Sequence, residues 1–177
     1  MKTTQILFAG FGGQGILFTG KMAAYSGMMD GKEVSWLPSY GPEMRGGTAN
    51  CSVCVSDEAI ACPLVITPDV LLVMNTPSYE KFIGDVVPGG VAILDSSLIN
   101  IKCERDDITV CYVPATALAD EHGLRSLANM ILFGKMLKET GFTSIETLKK
   151  ALEKVVPAKK AHLIESNLKA VALGMEQ

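Results

Sequence analysis

The chain has 177 residues, enough for one ordinary domain with a real core and too few for a comfortable pair of them. Hydrophobic residues make up 48% and charged residues 20%, which excludes disordered and fibrous classes. With 16 Lys and Arg against 19 Asp and Glu the net charge is -3, so nothing suggests a dedicated nucleic-acid binder.

Gln5 to Ala9 is a continuous apolar run ending in glycines, the pattern of a strand buried on both faces of a parallel sheet. A helix is expected from Gly13 to about Met29, where Ile16, Leu17, Gly20, Ala23, Ala24, Gly27 and Met28 recur at helical spacing and Asp30-Gly31 ends the run. Glu33 to Leu37 reads as a second strand, which Pro38 and the residues up to Pro42 should break. Thr48 to Val55 alternates as a half-buried strand, with Ala49, Cys51, Val53 and Val55 on one face. Val70 to Met74 and Val91 to Leu94 read as short buried strands, separated by a helix from Pro77 to about Val87. Ile108 to Val113 is a further strand, followed by Pro114 and a helix through about Glu121. Helices are then expected over Ser126 to Thr140, after the cap Ser144, and from Lys159 to Gly174. Alternating strands and helices followed by terminal helices predict an α/β fold: a three-layer α/β/α domain, spanning 1–177, with a mainly parallel sheet and a helical C-terminal third.

The 17 glycines are the compositional outlier, and many cluster at 10–15 and 41–47. Gly10-Phe11-Gly12-Gly13-Gln14-Gly15 fits Gly-x-Gly-x-x-Gly and sits where a strand should hand over to a helix. Glycines there permit a tight turn and let exposed amides and the positive helix end approach a phosphate. Three readings stay open: independent NAD(P) or FAD binding, a hold on an anionic group of a shared ligand, or tight packing of helix on sheet. A dinucleotide site wants an acid at the end of the second strand, and that end is Leu37-Pro38-Ser39, with Asp30 and Glu33 on the wrong edge. The second cluster includes Tyr40, Gly41, Glu43, Arg45, Gly46 and Gly47. If the two strands preceding these loops are parallel neighbours, both loops lie at the carboxyl edge of the sheet, where open α/β domains bind ligands or partners. Glu43 and Arg45 either pair with each other or leave Arg45 free for an anion or a partner carboxylate.

Five cysteines at 51, 54, 62, 103 and 111 do not form a disulfide framework, nothing at the start reads as a signal peptide, and the apolar runs fall short of the ~20 residues that cross a bilayer. A soluble, reduced, cytoplasmic protein is expected. Cys51-x-x-Cys54 lies on a strand, so its thiols point to opposite faces and cannot share a metal; the cysteines read as small buried hydrophobes, and no metal site is expected. His122 and His162 read as surface or capping residues, which leaves a His-based triad without support. From 144 onward six lysines face four acids, either a solvated helix face or a docking patch.

Phe8 to Gly15 followed by Ser39 to Gly47 (SYGPEMRGG) resembles the gamma subunit of the 2-oxoacid:ferredoxin (acceptor) oxidoreductases, over almost the whole chain. The helical end, with Ala128-Asn129-Met130 and Pro157 to Lys160, looks more like the 2-oxoglutarate or branched-chain type than the pyruvate type. The resemblance implies a complex that oxidatively decarboxylates a 2-oxoacid to an acyl-CoA with thiamine diphosphate, Mg and iron-sulfur clusters, the cofactors being held by alpha, beta and ferredoxin-like delta subunits. It agrees with the residues: Gly84-Asp85 is followed by Val86 and no thiamine motif, and the cysteines lack cluster spacing. It further implies that this chain helps to bind or gate CoA, with no catalytic residue of its own. Gly10, Gly12, Gly13, Gln14 and Gly15 would line the shared interface, with Tyr40, Gly41, Glu43, Arg45, Gly46 and Gly47 nearby. The alternatives are a free-standing Rossmann-like nucleotide-binding module and a non-catalytic scaffold.

Overall fold

The computed structural model describes residues 3–39 and 48–177. In it a six-stranded sheet runs in the order β2-β3-β1-β4-β5-β6. The strands are β1 (Thr4–Phe11), β2 (Glu33–Ser39), β3 (Thr48–Ser56), β4 (Val70–Val73), β5 (Val91–Asp95) and β6 (Thr109–Val113). β1, β4, β5 and β6 are parallel, whereas β3 is antiparallel to both β1 and β2. The helices are α1 (Ile16–Met29), α2 (Thr76–Phe82), α3 (Ala115–Glu121), α4 (Ala128–Thr140), α5 (Ile145–Val155) and α6 (His162–Glu176).

Period-two alternation divides each strand between two cores. Ile6, Phe8, Cys51, Val53, Leu72 and Ile93 face the side covered by helices, where Met22, Met130, Phe133, Leu148 and Val171 pack on them. Leu7, Ala9, Cys54, Leu71, Val73 and Leu94 face the other side, closed by Val65, Tyr79, Val86 and Ile99. That second layer is thinner: the short α2 and the segments 57–69 and 96–108 do the covering. Arg105 ties the last segment down, its guanidinium donating to the carbonyls of Ile83 and Val86 at 2.9 and 2.7 Å while pairing with Asp107.

Two expectations about strands need correction. β2 continues through Pro38 to Ser39, because β2 is an edge strand and a proline whose missing N–H faces outward costs the ladder nothing. β3 is buried on both faces from Cys51 to Ser56, since the segment 57–69 lies over its second face and the Val65 amide donates to Ser52 Oγ at 3.1 Å.

The strands before the two glycine loops are also not neighbours. β3 lies between β1 and β2, with Phe11 opposite Thr48 and Ser39 opposite Asn50. β1 and β2 nevertheless run the same way, so the first glycine loop and both flanks of the second emerge at the edge where the parallel strands end.

Helix α6 presses on α4 through two glycines. A Cβ on Gly134 would stand 2.0 Å from the Val171 carbonyl oxygen, and one on Gly174 would stand 1.8 Å from that of Ile131. The reciprocal contact sets the helices backbone to backbone and fixes where α4 begins, beside the glycine loop.

Candidate functional site

The loop after β1 is held by its one long polar side chain. Gln14 Oε1 accepts from the Phe11 amide at 2.6 Å, and Gln14 Nε2 donates to the Met74 carbonyl at the end of β4, at 3.0 Å. The side chain thus spans from the loop to the neighbouring parallel strand. Gly13 and Gly15 have φ of +95° and +80°, left-handed values that a side chain resists. At Gly13 the space beyond is open, whereas a Cβ on Gly15 would meet Asn129 Nδ2 at 2.5 Å.

Gly15 is the N-cap of α1, which has no side-chain cap and no acid in its first turn. Among the described residues no side chain caps this end, so the positive end of its dipole is left uncompensated, as an anion would use it. From the opposite side Asn129, 3% exposed at the start of α4, donates through Nδ2 to the Gly15 carbonyl at 3.2 Å and to Thr19 Oγ1 at 2.9 Å. Thr19 in turn donates to the Gly15 carbonyl at 3.0 Å. Two side-chain donors, themselves hydrogen-bonded to each other, thus fix the peptide on which the helix begins.

Beside this clasp lies a cavity of about 200 Å³ walled by Gly13, Gln14, Met74, Thr116, Ser126 and Asn129. It sits where β1, β4, β5 and β6 all end, the crevice that open α/β sheets use for ligands. Asp95, fully buried at the end of β5, accepts from Thr116 Oγ1 at 2.5 Å and from the Thr116 and Ser97 amides, which sets the start of α3 against the cavity. Ser126, between α3 and α4, has φ of +69°, the single non-glycine residue with positive φ among those described.

Of the residues singled out from the sequence, Gly12, Gly13, Gln14 and Gly15 form the loop, and Gly10 lies in the last pairs of β1, opposite Ala49. Gly10 is buried, and a Cβ there would meet Gln14 Oε1 at 2.8 Å, so its part is packing rather than contact with a ligand. Tyr40, Gly41, Glu43, Arg45, Gly46 and Gly47 lie outside the described residues. Asn129, Thr116, Ser126 and Asp95 carried no assigned role in the sequence. A buried Asn at the head of the apolar run ANMILF was the available signal.

The Rossmann reading loses its geometric basis. β1 is flanked by antiparallel β3 and by β4, whose end leads to Asn75, the residue that caps α2 through Oδ1, and among the described residues neither position offers an acid for a ribose. Asp30 lies at the far end of α1, where Thr143 and Thr147 donate to it at 2.5 and 2.8 Å.

Cys51 and Cys54 point into opposite cores. Burial pushes the Cys51 thiol up to about 12, so at neutral pH it is a packed hydrophobe. Cys111 is also buried, but Cys62 is exposed and Cys103 half-buried, so the expectation that all five are core residues fails for these two, which sit in the thinner second layer. His122 closes α3 and His162 opens α6, both exposed, and Lys149, Lys150, Lys154, Lys159 and Lys160 are exposed as well. Among the described residues no helix is long and apolar enough to cross a membrane.

The chain is similar in sequence and in geometry to several known proteins. The chain is 36% identical to the ketoisovalerate oxidoreductase subunit VorA of Methanothermobacter marburgensis over 177 residues, covering 99% of the chain but only 36% of that relative's length. A keto/oxoacid ferredoxin oxidoreductase gamma subunit from Geobacter sulfurreducens superposes with a TM-score of 0.81 at 31% identity, covering 98% of this chain and 96% of that one. The 2-oxoglutarate:ferredoxin oxidoreductase of Magnetococcus marinus, solved with 2-oxoglutarate, coenzyme A and succinyl-CoA, superposes with a TM-score of 0.88 at 26% identity, over 99% of this chain and 31% of that chain. The sequence profile of the pyruvate ferredoxin/flavodoxin oxidoreductases matches residues 5–177, and the chain belongs to that family.

Proposed function

We propose that this chain is the gamma subunit of a 2-oxoacid:ferredoxin (acceptor) oxidoreductase and that it completes the CoA side of the site shared with alpha, beta and delta partners. The complex would convert a 2-oxoacid, 2-oxoglutarate favoured, and CoA to acyl-CoA and CO2, releasing one proton and passing two electrons to the acceptor. Thiamine diphosphate, Mg and iron-sulfur clusters would be held by the partners, and the assembly would be cytoplasmic. The isolated chain would be inactive.

The observation that carries this reading is the uncapped start of α1 behind a glycine loop that Gln14 locks in place. The loop offers outward amides and a positive helix end, which suit the phosphate groups of CoA. No acid stands in the first turn of α1 to oppose that charge. In this reading the chain's own residues bind and orient one end of CoA, and the partners carry out the bond-making. Arg45 in the second glycine loop would add a positive charge at the same edge. The bound coenzyme A of the Magnetococcus marinus relative supports the reading, as does the fact that this fold occurs in relatives both as a separate chain and as a third of a longer one.

Co-expression with candidate alpha, beta and delta chains tests it. The expected result is a stable complex in which reduction of an electron acceptor depends on both 2-oxoacid and CoA. Undiminished activity from a complex lacking this chain contradicts the reading.

A further inference from the structure

Asn129 reaches from α4 to the Gly15 carbonyl, and the needs of folding do not account for that reach. The carbonyl already accepts from the Thr19 amide at 2.9 Å, the ordinary bond of the first turn of α1, and from Thr19 Oγ1 at 3.0 Å. A carbonyl oxygen has two lone pairs, so the Asn129 donor at 3.2 Å is a third claim on a satisfied group. Asn129 itself is 3% exposed, and among the described residues no donor reaches its Oδ1. A buried acceptor without a donor is costly, and native proteins keep few of them. For stability alone, a side chain without polar atoms would serve this place as well.

What the contact does set is direction. The peptide joining Gly15 to Ile16 is trans and planar, so its N–H points away from its carbonyl. Holding the Gly15 carbonyl with side chains of both α1 and α4 therefore aims the Ile16 amide, the first of α1, which has no acceptor within the helix. A glycine at this place would otherwise leave the peptide free to swing. The fit is close, since a Cβ on Gly15 would stand 2.5 Å from Asn129 Nδ2. The donor also stands on a firm base: α4 carries it in its first turn, and the same helix is pressed backbone to backbone on α6 at Gly134 and Gly174.

We infer that Asn129 is a positioning residue for CoA binding, acting through the Gly15–Ile16 peptide so that the Ile16 N–H is aimed at a phosphate group of CoA. Resting on the CoA reading above, this role makes the affinity of the glycine loop depend on a side chain of α4 that does not itself touch the ligand.

Steady-state kinetics of the assembled complex test this, with 3',5'-ADP and pantetheine as inhibitors that stand for the two halves of CoA. Asn129→Ala should raise the KM for CoA and the inhibition constant of 3',5'-ADP together, by roughly three- to tenfold, the scale of one hydrogen bond. The KM for the 2-oxoacid and the inhibition constant of pantetheine should stay at their wild-type values, a split that a general loosening of the fold would not produce. Thr19→Val removes the hydroxyl that shares the Gly15 carbonyl and accepts from Asn129, with little change of shape, and should move the same two constants less far. An unchanged KM for CoA in an assembled Asn129→Ala complex, equal rises for both substrates, or weakening of pantetheine alone overturns the positioning role. If Asn129→Ala fails to assemble, Thr19→Val decides, and an unchanged KM for CoA in that variant overturns the role. Equal CoA binding by complexes with and without this chain overturns the functional reading itself. A KM for CoA that rises in Gly13→Ala but holds in both Asn129→Ala and Thr19→Val overturns only the positioning role.

Discussion

The glycines at the start of α1 and those where α4 crosses α6 are the same residue type serving opposite ends. Gly134 and Gly174 are closed in: a Cβ on either would stand 2.0 Å or less from a carbonyl oxygen of the facing helix. Gly13 is open, with left-handed φ and nothing within 4 Å of where a Cβ would be. The first pair is required by packing, which any folded state must respect. Gly13 is required by a backbone shape that presents amides outward, and folding alone does not demand the space in front of it.

Substitution separates the two roles. Gly174→Ala should have the largest effect on stability, because the facing backbone cannot yield as a flexible side chain would. A loss of about 3 kcal/mol or more is expected in denaturant unfolding. A near-neutral result would mean that the two helices do not touch as described. Gly15→Ala combines φ of +80° with a clash against Asn129 and should cost roughly 1–3 kcal/mol. Gly13→Ala meets no atom, so its cost should be limited to backbone strain, about 1 kcal/mol.

A smaller effect belongs to pH. Cys51 has a thiol raised from 9.0 to about 12, chiefly by burial. The unfolded chain therefore loses this proton at lower pH than the folded one, and the contribution to stability is complete below about 9 and fades as pH rises toward about 12. Denaturant midpoints for wild type and Cys51→Ala should converge over that window, and parallel curves would count against the burial described. Under native conditions near pH 8 a thiol reagent should label exposed Cys62 well before Cys51.

Much of the fold was legible because its signals are local. The apolar runs at Gln5 to Ala9 and Val70 to Met74, the cap at Ser144 and the glycine turn at 31 are each read over a few residues, and the elements stand close to where they were expected. The antiparallel insertion of β3 between β1 and β2 was not legible, since strand order is a long-range property that no local pattern encodes. Pro38 misled for the same reason: a proline breaks a ladder only on a paired side, and β2 has one unpaired side. For the site, the glycines and Gln14 were visible through their motif. Asn129 was not, because its role depends on meeting Gly15 from 114 residues away.

The central claim is that the glycine loop serves CoA rather than folding or the 2-oxoacid. The most direct measurement is steady-state kinetics of the assembled complex carrying Gly13→Ala or Arg45→Ala, with CoA and 2-oxoacid varied independently. The account predicts a KM for CoA raised several-fold in both variants, of the order expected for one lost or misplaced charge-assisted contact, with the KM for the 2-oxoacid unchanged. An unchanged KM for CoA in a complex that assembles normally would contradict it.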